Sequence, residues 1–203
     1  AFLCWIMNKP YGLYVRGQND LSSKSSGFIF YKSSVIFTVA DFFTEFLKKS
    51  TLNKNIFTIK PMINLDEKDI VHERVFDSKE PFKILFLARI EKDKGIEEFI
   101  YAISKLKIQF NLEVDVVGDG FWLSQAIDLC KILEIENIVN SKGAIFDQNE
   151  IKKNYIEANL YVLPTYHEGF PRTLYEAMIF GTPILTTFVG GISGLMVNKY
   201  NCL

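Results

Sequence analysis

Glu168 and Glu176 flank the start of a helix predicted over Pro171–Phe180. The fixed φ and missing N–H of Pro171 suit the first helical position. Arg172, Thr173 and Leu174 then offer backbone N–H groups at the positive end of the helix dipole, where anions bind. Glu176 lies roughly 7.5 Å beyond Pro171 along the axis. A nucleotide-sugar has matching chemistry, with a diphosphate in the middle, a sugar at one end and a ribose at the other. Carboxylates accept hydrogen bonds from hydroxyls, and helix termini bind phosphate. Two glutamates eight apart arise often in a chain with 24 acidic residues, and by spacing alone a solvated helix face is the better reading.

A second set of groups lies upstream in FLARIEKDKGIEEF, residues 86–99. This segment leaves a predicted strand and opens a helix. Arg89 and Lys94 lie in the loop, with Gly95 at the turn. Cations at the carboxyl end of a parallel strand face the crevice where open α/β sheets bind ligands. Arg presents a planar fork to phosphate and Lys a mobile point charge. Soluble loops are also rich in both, so position alone favours a surface role. VVGDGFW, residues 116–122, reads as a strand entering a tight turn with Gly118 and Gly120. A dinucleotide fingerprint needs a third glycine where Leu123 stands, so an NAD reading is poor.

The string PTYHEGFPRTLYEAMIFGTPILTT, together with the Arg89-x4-Lys94-Gly95 pattern, resembles retaining GT-B glycosyltransferases, most closely family 4. The resemblance implies that Arg89 and Lys94 bind and stabilise the leaving diphosphate. It implies that Glu168 contacts the donor sugar as the catalytic glutamate, and that Glu176 holds the ribose. Gly118 and Gly120 would line the donor pocket, joined by Gly169, Phe170, Thr173 and Leu174. The donor would be a UDP- or GDP-sugar, and the acceptor a glycan, lipid-linked glycan or small alcohol, as in polysaccharide biosynthesis. No protein nucleophile is implied. Gly190 and Gly191 in FVGGISGL match a Gly-Gly turn of the family, but Gly194 stands where the family commonly has an acid. Arg16-Gly17 stands near the place of a first-domain His-Gly, and Arg16 receives no role. Two other readings stay open: a nucleotide-sugar-binding module without catalysis, and a sugar-nucleotide epimerase of the same architecture.

These residues need a scaffold, and the hydrophobic pattern describes one. The fold class is α/β, with a Rossmann-like donor-binding domain and a partial N-terminal Rossmann-like domain. Predicted strands are Tyr11–Val15, Ser34–Val39, Asn55–Lys60, Lys83–Ala88, Leu112–Val117, Ile138–Ser141, Leu160–Leu163 and Pro183–Thr186. Predicted helices, besides Pro171–Phe180, are Ala40–Lys49, Gly95–Lys107, Phe121–Leu133 and Gln148–Ala158. The alternation indicates a parallel sheet. Ile96, Phe99, Ile100, Ile103 and Leu106 recur at helical spacing, so one face of their helix is buried. Pro61–Pro81, with the acidic run LDEKD, reads as a linker. Residues 1–60 then form the acceptor-side part and residues 82–203 the nucleotide-sugar domain. A start at Ala1 and a stop at Leu203 inside an apolar stretch suggest a fragment, truncated at both ends.

Composition excludes several classes. The 48% hydrophobic content and 18 Phe favour a packed core. A net charge of −1 creates no general field for nucleic acid or anionic membrane. Cys4, Cys130 and Cys202 show no metal or disulfide spacing and read as reduced thiols of a cytoplasmic protein. No metal-ligand cluster is recognisable, so no metal or other cofactor is expected. The apolar opening AFLCWIM is too short to span a bilayer and reads as a core strand or helix end. Peripheral contact with the inner face of a membrane is expected only through a part absent here. His167 and His72 read as structural or exposed residues.

Overall fold

A computed structural model describes residues 2–15, 21, 26–59, 63, 65–74, 81–169 and 171–203, with the side chains of residues 2, 5 and 26 excepted. Each of the eight predicted strands forms, and each connection within a sheet carries a helix. Residues group into two units by contact. One holds residues 1–62, 167–171 and 188–196, and the other 63–166, 172–187 and 197–203. The division is not contiguous. Two short returns of the chain join the first unit, which no linear pattern announces.

In the first unit a short helix α1 (Phe2–Ile6) precedes β1 (Gly12–Val15). There follow α2 (Ser26–Lys32), β2 (Val35–Thr38), α3 (Asp41–Ser50) and β3 (Ile56–Thr58). The three strands are parallel in sequential order. Val15, Phe30, Ile36, Leu47 and Ile56 form the core. The opening residues are helical, and α2 was not among the predicted helices. Its sequence, SGFIFYK, combines Gly with aromatic and β-branched residues that favour strands. Burial of Phe30 against the sheet overrides that preference.

The second unit runs β4 (Phe82–Leu87), α4 (Ile96–Leu106), β5 (Leu112–Val117), α5 (Leu123–Ile132) and β6 (Val139–Gly143). It continues with α6 (Gln148–Glu157), β7 (Leu160–Leu163), α7 (Arg172–Ile179) and β8 (Ile184–Thr186). All neighbours pair in parallel in the order β6-β5-β4-β7-β8. β4 is central and buries Ile84, Leu85 and Phe86, as a strand covered on both faces must. Of the predicted α4 face, Ile96, Phe99, Ile100 and Ile103 are buried; Leu106, at the helix end, is 37% exposed. Cys4, Cys130 and Cys202 are free thiols.

The described part of the stretch expected as a linker is fastened to the second unit. Asp69 pairs with Lys152 at 3.2 Å, and the Val71 N–H donates to the Ile179 carbonyl at 2.8 Å. Arg74 donates to the carbonyls of Tyr155, Ile156 and Ala158 and to Thr182 Oγ1. The guanidinium thereby satisfies carbonyls left open where α6 ends, and its charge suits the negative end of the helix dipole. Arg74→Ala should cost roughly 2–3 kcal/mol, several net hydrogen bonds of about 1 kcal/mol each. Urea denaturation followed by circular dichroism measures it; a change below about 0.5 kcal/mol would show that solvent replaces the guanidinium without loss.

Candidate nucleotide-sugar site

Strand order reverses between β4 and β7, and open parallel sheets bind ligands at the carboxyl ends flanking such a switch. β4 ends at Leu87 and runs into the loop bearing Arg89 and Lys94; β7 ends at Leu163 and leads to α7. The two exits are tied together. Tyr166 N–H and Thr165 Oγ1 both donate to the Asp93 carbonyl, at 2.8 and 3.1 Å. Gly95 has φ +73°, and a Cβ there would lie 2.1 Å from the Pro164 carbonyl oxygen. Only glycine lets this loop touch the exit of β7.

Arg89 is exposed, and its guanidinium makes no hydrogen bond or ion pair among the described residues. Lys94 is only 6% exposed, with Nζ 3.9 Å from Asp93 Oδ2. A short 3₁₀ turn, Lys92–Lys94, swings Lys94 inward. Lys92 stays exposed, over the Trp122 ring at 5.1 Å. The two motif cations thus differ: one is a solvated fork, the other a buried charge. Gly118 and Gly120 let the exits of β4 and β5 lie against each other, with Ile90 N–H donating to the Asp119 carbonyl at 2.9 Å.

α7 begins at Arg172, directly after Pro171, one residue later than expected. Its first turn is braced from below. The Tyr161 hydroxyl lies 3.1 Å from the Leu87 carbonyl at the end of β4 and 2.7 Å from Thr173 Oγ1. The Tyr155 hydroxyl lies 3.0 Å from Glu176 Oε2 and 3.1 Å from the Thr173 carbonyl. Leu174 is fully buried, so of the anticipated binding residues it offers a ligand only its backbone. Glu176 is half-buried. Burial is the main influence on its carboxyl and raises it above the usual range; the Tyr155 hydroxyl and the Arg172 charge act the other way. Burial pushes the Tyr155 phenol well above its ordinary value, so this hydroxyl stays protonated.

Glu168 and Gly169 belong to the first unit. Gly191 N–H donates to the Glu168 carbonyl at 3.1 Å. A Cβ on Gly190 would lie 1.9 Å from that carbonyl, and one on Gly191 1.8 Å from the Gly169 carbonyl. The Gly-Gly turn therefore shapes the loop that presents Glu168. Phe170, Arg16 and Gly17 lie outside the described residues. Tyr155 and Tyr161 escaped the sequence reading because neither sits in a motif. A phenol where a helix or strand turns inward was the only available signal.

Among the described residues no group of three His, Cys, Asp or Glu is placed to hold a metal ion. Among them no helix is long and apolar enough to cross a membrane. Residues 67–202 match the family of glycosyl transferases group 1. The chain is 32% identical over 118 residues to the glycosyltransferase MJ1607 of Methanocaldococcus jannaschii, covering 58% of this chain and 30% of that protein. It is 24% identical over 175 residues to WcaL of Salmonella typhimurium, named for colanic acid biosynthesis, covering 83% of this chain and 43% of WcaL. In fold it resembles Anabaena HepE, solved in complex with UDP, with TM-score 0.76 and 16% identity over all of this chain and 60% of HepE. The parallel sheets and Rossmann-like topology are those of the GT-B glycosyltransferases expected from the motifs. With the family match extending over more than half of its residues, the chain belongs to the glycosyl transferases group 1.

Proposed function

We propose that the protein to which this chain belongs moves a sugar, with retention, from a nucleotide-diphosphate donor to a glycan, lipid-linked or small hydroxyl acceptor. The observation that carries the reading is the switch point itself. Arg89, Lys94 and the first turn of α7 gather at the carboxyl ends of β4 and β7, where a diphosphate finds two cations and a helix dipole. Glu176 takes the ribose and Glu168 the donor sugar, as the family resemblance implies. Arg89 and Lys94 balance charge on the departing diphosphate, without a metal ion. The UDP bound by HepE makes uracil the first base to test.

Calorimetric titration of the 203-residue chain with UDP and UDP-sugars, in the presence and absence of EDTA, tests this. Glu176→Ala should weaken UDP about tenfold, the loss of one hydrogen bond to a charged acceptor. Glu168→Ala should leave UDP binding within about twofold. Its cost should fall on turnover of the full-length protein, if the contact strengthens in the transition state. Equal losses of UDP affinity from both substitutions would reverse the assigned donor orientation. Loss of binding in EDTA would overturn the metal-free part.

A further inference from the structure

Tyr155 is fully buried beneath α7, and its ring is wedged between Tyr161 and Phe180, with centroids 5.5 and 5.6 Å away. Its backbone carbonyl accepts from Arg74 at 3.3 Å, and the Thr182 hydroxyl donates to the same oxygen at 2.8 Å. Ring and backbone are both held, so the hydroxyl has a fixed position. From there it reaches Glu176 Oε2 at 3.0 Å. The single phenolic proton has two acceptors in range, Glu176 Oε2 and the Thr173 carbonyl. The carboxylate, being charged, is the stronger. Among the described residues Oε1 of Glu176 makes no hydrogen bond.

We propose that Tyr155 is a positioning residue for nucleotide recognition: its hydroxyl holds Glu176 Oε2, so that Oε1 is presented to a ribose hydroxyl. The inference rests on the reading of Glu176 as the ribose carboxylate. A glutamate has three side-chain torsions, and fixing them before the ligand arrives removes an entropic cost from binding. Tyr155 also offsets part of the burial that favours the neutral carboxyl. Among the described residues the ionisable groups acting on Glu176 are Tyr155, from α6, and Arg172, from its own helix. Only the ionised carboxylate accepts at both oxygens, from Tyr155 at Oε2 and from the ribose at Oε1, so affinity falls as pH drops through the Glu176 value. Without Tyr155 that value rises, and the acid limb of binding moves up in pH.

The experiment compares UDP with 2′,3′-dideoxyuridine 5′-diphosphate on the full 203-residue chain. Wild-type protein should prefer UDP by about tenfold. In Tyr155→Phe the preference should shrink to about two- to threefold, while dideoxy affinity holds. In a Glu176→Ala background, Tyr155→Phe should change nothing further. A wild-type ratio near one overturns the ribose reading and this inference with it. A clear wild-type preference that Tyr155→Phe leaves intact overturns the positioning role alone. Equal weakening of both ligands overturns it too, because a merely structural hydroxyl acts that way. If Tyr155→Phe does not fold, 3-fluorotyrosine at position 155 decides. Its more acidic hydroxyl is a stronger donor and should shift the acid limb of UDP binding down in pH. An unmoved limb overturns the proposal.

Discussion

Replacing Arg89 or Lys94 with Ala should weaken nucleoside diphosphate binding about 10- to 150-fold, or ~1.5–3 kcal/mol, the scale of a lost charge-assisted hydrogen bond. Uridine, which lacks the phosphates, should bind as before. The two cations should then separate by salt. Arg89 is exposed, so its contribution is screened and fades as ionic strength rises. Lys94 is buried in its 3₁₀ turn, so its contribution should persist. Lys94→Met keeps most of the volume and removes only the charge, which separates lost binding from a lost core contact. Calorimetry with UDP and uridine at low and high salt gives all four comparisons. Equal losses for UDP and uridine would sink the diphosphate assignment for whichever residue shows them.

Gly118→Ala should destabilise the fold by roughly 3–5 kcal/mol, combining backbone strain with a forced overlap. Gly118 has φ +140°, and a Cβ there would lie 1.9 Å from the Ala88 carbonyl oxygen. Backbone cannot yield as a flexible side chain does. The Ala88 N–H also donates to the Val117 carbonyl at 3.1 Å, so the exits of β4 and β5 are hydrogen-bonded across the site of overlap. The new methyl must push the loop that carries Arg89, and UDP affinity should fall with stability. Gly27→Ala is the control, since nothing lies within 4 Å of that Cβ and the residue sits in α2. It should be neutral or gain up to about 1 kcal/mol. Urea denaturation of both variants measures the contrast. A Gly118→Ala chain within about 1 kcal/mol of wild type would show that the two exits separate readily.

How much of this was legible in the chain depends on how local the cause is. Strands β4 and β7 are short, mostly apolar runs and β5 alternates apolar residues with Glu113 and Asp115, so period and composition suffice to place them. The face of α4 follows from the spacing of Ile96, Phe99, Ile100 and Ile103. Arg89, Lys94, Glu168 and Glu176 stood out because their motifs are short and contiguous. α2 was illegible, because its residues favour a strand and only burial against the sheet makes them a helix. The linker reading of 61–81 missed Arg74, whose partners lie more than 80 residues away. Prolines and acids signal a break in pattern, but say nothing of what a guanidinium will find.

The sequence by itself determined the α/β class and the local segments that carry the two cations and the two glutamates, since these rest on periodicity and on neighbours a few residues apart. Only the tertiary structure decided which cation is buried, which glycines are forced by facing carbonyls and which hydroxyl holds Glu176. Each of those depends on atoms brought together by sheet order, with β4 between β5 and β7. Sequence distance carries no record of that order, because parallel strands meet only after a helix has returned the chain.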